Sequence, residues 1–192
     1  MSQRTAQQYF ERAYRDDAQV FGSPDGWYET RKRQVLLASL LSPRYDQVFE
    51  PGGGNAALTI PLAERSEQVL MMDWSVNALK HAEQVTDAYT NVKCRHGALP
   101  EDWPQQRRFD LIVFSELLYY LSEAEIVEIA RLTTQSLCAS GEVALLHWRH
   151  ASADYPLTAA QAHTIFISAC SSLDRAVVHE DQDFLLHILA AP

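Results

Sequence analysis

From Asp46 to Trp148 short apolar segments alternate with helical ones, and this alternation restricts the fold more than any other feature of the chain. "DQVFE" (Asp46–Glu50), "QVLMMD" (Gln68–Asp73), "VKCRH" (Val92–His96), "FDLIVFS" (Phe109–Ser115) and "EVALLHW" (Glu142–Trp148) read as strands. Helical patterns fill the gaps at Asn55 to about Glu64, at Ser75–Ala88, and from Ser122 onward. Pro61 fits the first of these only in its opening turn or at a kink. Ser122 and Glu125 make a capping box for the third, whose face is Ile126, Ile129, Ala130 and Leu137 and whose end Gly141 suits. Thr158 and Gln161 make a second box, before a helix lined by Ala162, Ile165, Phe166 and Ala169. "LDRAVVH" and "DFLLHIL" are separated by a short turn and pair antiparallel. Strands joined through helices run parallel. The centre of "FDLIVFS" is a continuous apolar run, as expected of a strand covered on both faces. The expected fold is α/β: a Rossmann-like, seven-stranded, mostly parallel sheet with an antiparallel C-terminal hairpin and helices on both faces.

Ahead of the first strand the chain reads as a helical cap, residues 1–43, on a core of residues 44–192, and 192 residues fit a single domain. Ala6, Tyr9, Phe10, Ala13 and Tyr14 share a helical face. "FGSPDG" (Phe21–Gly26) breaks the chain, and "WYETRKRQVLLASLL" (Trp27–Leu41) is a second helix that stops near Pro43. No apolar run reaches the length of a membrane span, and the first residues lack the apolar centre of a signal peptide. Cys94, Cys138 and Cys170 are scattered and form no CxxC, so neither a disulfide framework nor a zinc site is expected. These features fit a cytoplasmic protein with no membrane partner. A net charge of −9 argues against nucleic acid as a partner.

Sheets of this class bind ligands at the carboxyl ends of their strands. The first strand gives Glu50 and then Pro-Gly-Gly-Gly-Asn-Ala. The second gives Asp73, the third is followed by "HGALPEDWP" (His96–Pro104), and the fourth gives Ser115 and Glu116. Gly52 and Gly54 allow a tight turn and a close ligand approach. An acidic residue about 20 positions past such a turn can accept hydrogen bonds from ribose hydroxyls, which makes Asp73 a candidate. Together these point to a nucleoside cofactor. A dinucleotide pattern is open on glycines alone, because Ala57 fits its last position. Glu50 weighs against it, since a carboxylate there repels pyrophosphate and suits a cationic amino-acid moiety.

"FEPGGGNAAL", "LMMDWSVNAL", "HGALPEDWP" and "FDLIVFSELLYYL", in this order, resemble the class I S-adenosylmethionine-dependent methyltransferases over roughly residues 45–190. The resemblance implies S-adenosylmethionine as cofactor and S-adenosylhomocysteine as product. It implies that Glu50 serves the methionine amino group, that Gly52 and Gly54 pass close to the cofactor, and that Asp73 holds the ribose. Gly97, Ala98 and Leu99 would border the adenine. Ser115, Glu116 and Leu118 would flank the methionine end and the substrate entrance. The family reads E-x-G-x-G-x-G, and Ala56 stands here for the last glycine. "GWYETRKRQVLLASL" and "LLHWRHASADYPLT" resemble the NodS-like branch, similar to the N-methyltransferase that acts on the free amine of a deacetylated chitooligosaccharide. That branch often carries Asp-Pro-Trp before its second helix, where "VFGSPDG" stands here. The implied activity is methylation of a small molecule, with an amino sugar or glycan-like amine as the acceptor. "SELLYY" in place of Asn/Asp-Pro-Pro-Tyr argues against an amide or nucleobase-amine methyltransferase of that type.

Candidates for catalysis are His147 and Glu116, either of which could take a proton from an amine. Glu116 could equally be a dipole partner of its helix, and His147 a hydrogen-bonded wall residue. His147 and His150 form H-x-x-H, but in a strand that spacing puts them on opposite faces, so no metal site is expected. Tyr28 and Arg31 are candidate lid residues, and Tyr119 and Trp148 candidate substrate contacts. Two other readings stand beside the methyltransferase: a non-catalytic binding protein on the same fold, and a nicotinamide oxidoreductase.

Overall fold

The computed structural model describes residues 26–150 and 155–192. The expected first helix and most of "FGSPDG" lie outside the described residues. The chain runs α1 (Trp27–Ser39), β1 (Tyr45–Pro51), α2 (Thr59–Ala63), β2 (Ser66–Asp73), α3 (Val76–Val85), β3 (Val92–His96), β4 (Phe109–Ser115), a 3-10 turn (Leu118–Tyr120), α4 (Glu123–Ser136), β5 (Leu137–Trp148), α5 (Ala159–Ala169), β6 (Asp174–Glu180) and β7 (Phe184–Ala190). The seven strands lie in the order β3-β2-β1-β4-β5-β7-β6. β1 to β5 pair in parallel, and β7 runs antiparallel to both β5 and β6. This is the expected Rossmann-like sheet with its antiparallel C-terminal hairpin. The chain order reverses between β1 and β4, so the crevice beyond their carboxyl ends is the natural ligand site.

Alternate residues of the central strands feed two cores. Phe49, Leu70, Ile112 and Phe114 pack under α4 and α5 with Trp103, Ile126 and Phe166. Val48, Val69, Leu111 and Val113 pack on the other face with Leu36 of α1 and Leu62 of α2. The period of two turns a continuous apolar run such as "LIVF" (Leu111–Phe114) into two buried faces.

Both expected capping boxes are present, Ser122 with Glu125 and Thr158 with Gln161. Two local expectations need correction. The helix expected from Asn55 begins only at Thr59, because Ala56 takes a left-handed φ of 61° and keeps the preceding turn irregular. Pro61 is then the third helical residue, where its missing N–H would have had no helical partner. Gly141 does not cap α4. That helix stops at Ser136, and Leu137 is already extended. Phe109 faces Leu137 while Leu111 faces Glu142, so β5 carries extra residues in a bulge. A Cβ on Gly141 would come within 3.0 Å of the Phe109 carbonyl oxygen and closer still to Leu137, which is why glycine suits this position.

Candidate functional site

The glycine turn leaves β1 and folds over the end of β2. Gly52 and Gly53 both donate backbone N–H groups to the Met72 carbonyl, at 2.7 and 3.3 Å. Gly52 and Gly54 hold φ of 74° and 55°, a region glycine enters without strain. Gly54 N–H donates to Asp73 Oδ2 at 2.9 Å, and Asp73 Oδ1 accepts from Ser75 N–H at 2.8 Å. Asp73 therefore braces the turn and the start of α3, whose N-cap is Ser75. A carboxylate offers about four acceptor positions, so hydroxyl partners can still be added.

Glu50, at the end of β1, is 2% exposed. Its Oε2 accepts from Thr59 Oγ1 at 2.6 Å. Burial pushes its carboxyl up to about 8, the Thr59 hydrogen bond opposes this, and the nearby Asp73 charge adds to it. No lysine, arginine or histidine among the described residues forms an ion pair with it. A buried carboxylate lacking a cation, beside a glycine cradle and a second carboxylate, suits a ligand that brings both an ammonium group and hydroxyls.

After β3, Gly97 donates to the Asp73 carbonyl at 3.0 Å and Ala98 to Asp102 Oδ2 at 2.9 Å. A Cβ on Gly97 would lie 2.8 Å from Met72 Sδ and 2.9 Å from Asp102 Cβ, so this loop also needs its glycine. Leu99 is 8% exposed and belongs to the Trp103 core.

Beyond β4 the backbone bends sharply. Ser115 ends the strand half-buried, and Glu116 adopts φ 54°, strained for a residue with a Cβ. Leu118 turns inward and is fully buried, with its N–H 2.9 Å from His147 Nε2. Leu117, one residue earlier and half-buried, is the residue that meets the glycine turn. Its Cδ1 would lie 3.2 Å from a Cβ on Gly52. Leu118, expected to flank the cofactor, is instead packed in the core, and its neighbour Leu117 faces the turn.

His147 is fully buried, and both ring nitrogens are engaged. Nε2 accepts the Leu117 and Leu118 N–H groups at 3.2 and 2.9 Å, so its proton sits on Nδ1. Nδ1 lies 2.8 Å from His163 Nε2, and His163 Nδ1 lies 2.7 Å from His187 Nδ1. The tautomers follow in sequence: each ring donates from Nδ1 until His187, whose proton is on Nε2. Burial holds His147 down at about 4 and His163 well below its ordinary range. His147 thus supports the turn after β4 and leaves no nitrogen free for an acceptor proton. His150 lies outside this chain, 3.2 Å from Asp183.

Glu116, just beyond β4, keeps part of its surface open; its side chain is 28% exposed. Oε1 accepts from Lys32 Nζ at 3.0 Å, while Oε2 accepts from the Trp148 N–H at 3.2 Å and from the Tyr119 hydroxyl. Lys32 also reaches Glu29 at 2.9 Å and lies 4.9 Å from the Tyr28 ring centre. Tyr119 stacks on Tyr155 at 4.2 Å, and Trp148 and Tyr120 meet Tyr155 edge-on. Arg31 points elsewhere. It pairs with Asp181 in the β6–β7 turn at 2.5 Å, over the Phe184 ring, and so clips α1 to the hairpin. Sequence reading placed Tyr28, Glu116, Tyr119 and Trp148 near the site, but gave Lys32 no role. Its only local signal is the three-residue spacing from Glu29.

Comparison with known proteins identifies the family. A family model described as "Methyltransferase domain" matches residues 48–141. A solved structure from Pseudomonas syringae, assigned as a methyltransferase, is 36% identical, with 86% of this chain and 99% of that one covered and a TM-score of 0.76. The chain belongs to the class I S-adenosylmethionine-dependent methyltransferases. The N-methyltransferase NodS from Bradyrhizobium japonicum WM9, solved with S-adenosylhomocysteine, shares the fold of this methyltransferase. There the identity is 22%, the coverage 97% and 98%, and the TM-score 0.84. Phosphoethanolamine N-methyltransferase of Triticum aestivum is 29% identical over 147 residues, 73% of this chain and 29% of that one. Phosphoethanolamine N-methyltransferase 3 of Arabidopsis thaliana is also 29% identical, over 62% of this chain and 25% of its own length. The chain thus spans less than a third of these curated relatives. No helix of the described residues is long and apolar enough to cross a membrane.

Proposed function

We propose that this methyltransferase methylates the nitrogen of a small-molecule amine, with an amino sugar or a similarly polar amine as the acceptor. The observation that carries this reading is the ammonium of Lys32, bound by Glu116, one residue before the Leu117 that packs on the glycine turn. A site that holds one ammonium group between a carboxylate and an aromatic ring suits another. The names of the relatives, N-methyltransferases of phosphoethanolamine and NodS, support nitrogen as the acceptor atom.

The residues present fit the cofactor. Glu50 would take its ammonium group, Asp73 its ribose hydroxyls, and residues 52–54 and 97–98 would pass along it. When bound, the cofactor supplies an electrophilic methyl group on a sulfonium. The chain contributes alignment, which by itself can account for much of the rate. An amine attacks only when neutral, so Glu116 is assigned to hold the acceptor nitrogen and take its proton towards solvent. His147 is assigned to the turn that places Glu116 and Leu117.

The test is methyl transfer from radiolabelled S-adenosylmethionine to a panel of glucosamine, a chitosan oligosaccharide and phosphoethanolamine, alongside catechol and simple carboxylic acids. Label in the amines, located on nitrogen by mass spectrometry, is the expected result. Label confined to oxygen acceptors would overturn the reading.

A further inference from the structure

We propose that Glu29, Glu116 and the Tyr28 ring form a receptor for a primary ammonium group, filled in this structure by Lys32 and open to exchange with an incoming amine. The proposal deepens the amine reading of the same site, and its test does not depend on methyl transfer.

The geometry around Lys32 Nζ is that of a complete ammonium site. An ammonium has three N–H donors. Here one carboxylate oxygen lies at 2.9 Å, another at 3.0 Å, and an aromatic face at 4.9 Å. A lysine is rarely as buried as Lys32, which is 4% exposed. Burial opposes its charge, but Glu116 and Glu29 together outweigh that and hold it protonated. The ammonium therefore binds here as a cation.

Glu116, the acid on the sheet side of the receptor, is held in place independently of the occupant. Glu116 is fixed by the Trp148 N–H and the Tyr119 hydroxyl, on a backbone kept at φ 54°. Strain of this kind persists only where the surroundings over-determine it. The two carboxylate side chains remain 28% and 22% exposed while the lysine side chain is 6% exposed. An incoming amine thus meets the acids from outside, and Lys32 can leave on its flexible stem. Tyr28 adds a buried hydroxyl oxygen that has no hydrogen-bond partner among the described residues. It suits a hydroxyl or second polar atom next to the amine. The charges of Glu116, Glu29, Asp183 and Asp181 all reach Tyr28, and the field they make favours a cation over an anion.

The experiment is thermal denaturation of Lys32→Ala with ethylammonium chloride as the probe. Sodium chloride and tetramethylammonium chloride at the same ionic strength are the controls. The expected result is a lower Tm than the wild-type protein and a saturable recovery with ethylammonium, about 3–6 °C at tenfold over its Kd. The controls should give no such recovery, and neither should Lys32→Ala combined with Glu116→Gln. Recovery equal to that in sodium chloride would overturn the proposal. If Lys32→Ala does not fold, the wild-type protein carries the test. The burial of Lys32 should give a resolved, slowly exchanging ammonium signal in 15N-lysine spectra, and ethylammonium should remove it saturably. An unchanged signal would overturn the exchange. Neither assay reads methyl transfer, so a failure here is distinct from a failure of the amine reading.

Discussion

Glu50 and Glu116 stand at the carboxyl ends of two neighbouring strands, and the protein treats the two carboxylates oppositely. Glu50 is sealed from water with a threonine hydroxyl for company and no ion-pair partner among the described residues. Glu116 is partly open and already holds the ammonium of Lys32. The first resembles a socket waiting for charge, and the second a socket that supplies its own. On this reading the cofactor half relies on its ligand to become electrically complete, and the acceptor half does not.

The largest test of that contrast is Glu50→Gln. The Glu50 carboxyl sits at about 8, against an ordinary 4.5. Between those pH values the folded protein keeps a proton that the unfolded chain has released. Stability from this group is therefore fully present below about pH 4.5 and is lost as pH rises towards 8. The loss is of order 5 kcal/mol at most. Glu50→Gln should remove that slope, so at pH 8–9 the variant should denature at higher temperature than the wild-type protein. The same change should weaken S-adenosylhomocysteine binding. For the wild-type protein at pH 7, calorimetric titration in buffers of different ionisation heat should show close to one proton released per ligand bound. Equal pH slopes for the two proteins would break the contrast.

Next in size is Asp73→Ala. It removes the acceptor of the Gly54 N–H as well as the proposed ribose contact. Charge-assisted hydrogen bonds are each worth roughly 1.5–3 kcal/mol, so S-adenosylhomocysteine affinity should fall about 100-fold or more by calorimetry. An unchanged affinity would leave Asp73 as a brace for the turn alone.

Glu116→Gln should cost about 1–3 kcal/mol in denaturant unfolding. The usual penalty for breaking a buried pair is 3–5 kcal/mol, but Lys32 keeps Glu29 and Glu116 is partly solvated. It should leave S-adenosylhomocysteine affinity within about threefold while abolishing amine methylation. A large loss of cofactor affinity would mean that the two halves are not separate.

The same contrast governs what could be read from the sequence. Glu50, the glycines and Asp73 span 24 residues of chain, and their spacing is set by one strand, one turn, one short helix and the next strand. Such a unit is legible because its geometry is local. The proposed acceptor half is made of distant partners. Lys32 meets Glu116 across 84 residues, and His147 meets His163 only after α5 folds back on the sheet. No spacing announces those contacts. The fold was legible for the local reason, since each strand and helix carries its own period. Gly141 misled because a glycine after a helical run usually ends it. Here it serves a bulge whose need arises across the β4–β5 pair. Leu118 is expected at the site from the resemblance alone, and the 3-10 turn that buries it and sets Leu117 against Gly52 carries no signal of its own in the sequence.

Ala56 gives the smallest effect. The sequence alone makes it one extra methyl where the family has glycine, but the structure puts its cost in the backbone, at φ 61°. A left-handed residue with a Cβ costs roughly 1–2 kcal/mol. Against that, its fully buried methyl packs with Met71, Leu79 and Ala82. That contact contributes about 0.8 kcal/mol, and glycine would loosen the unfolded chain by roughly 0.4–1 kcal/mol. The opposing effects nearly cancel, so Ala56→Gly should shift stability by less than about 1 kcal/mol, or roughly 3 °C in Tm. S-adenosylhomocysteine affinity should stay within about threefold. A tenfold gain in affinity would show that the strained turn holds the cofactor socket back from its best shape. The socket at Glu50 would then be limited by backbone geometry as well as by its missing charge.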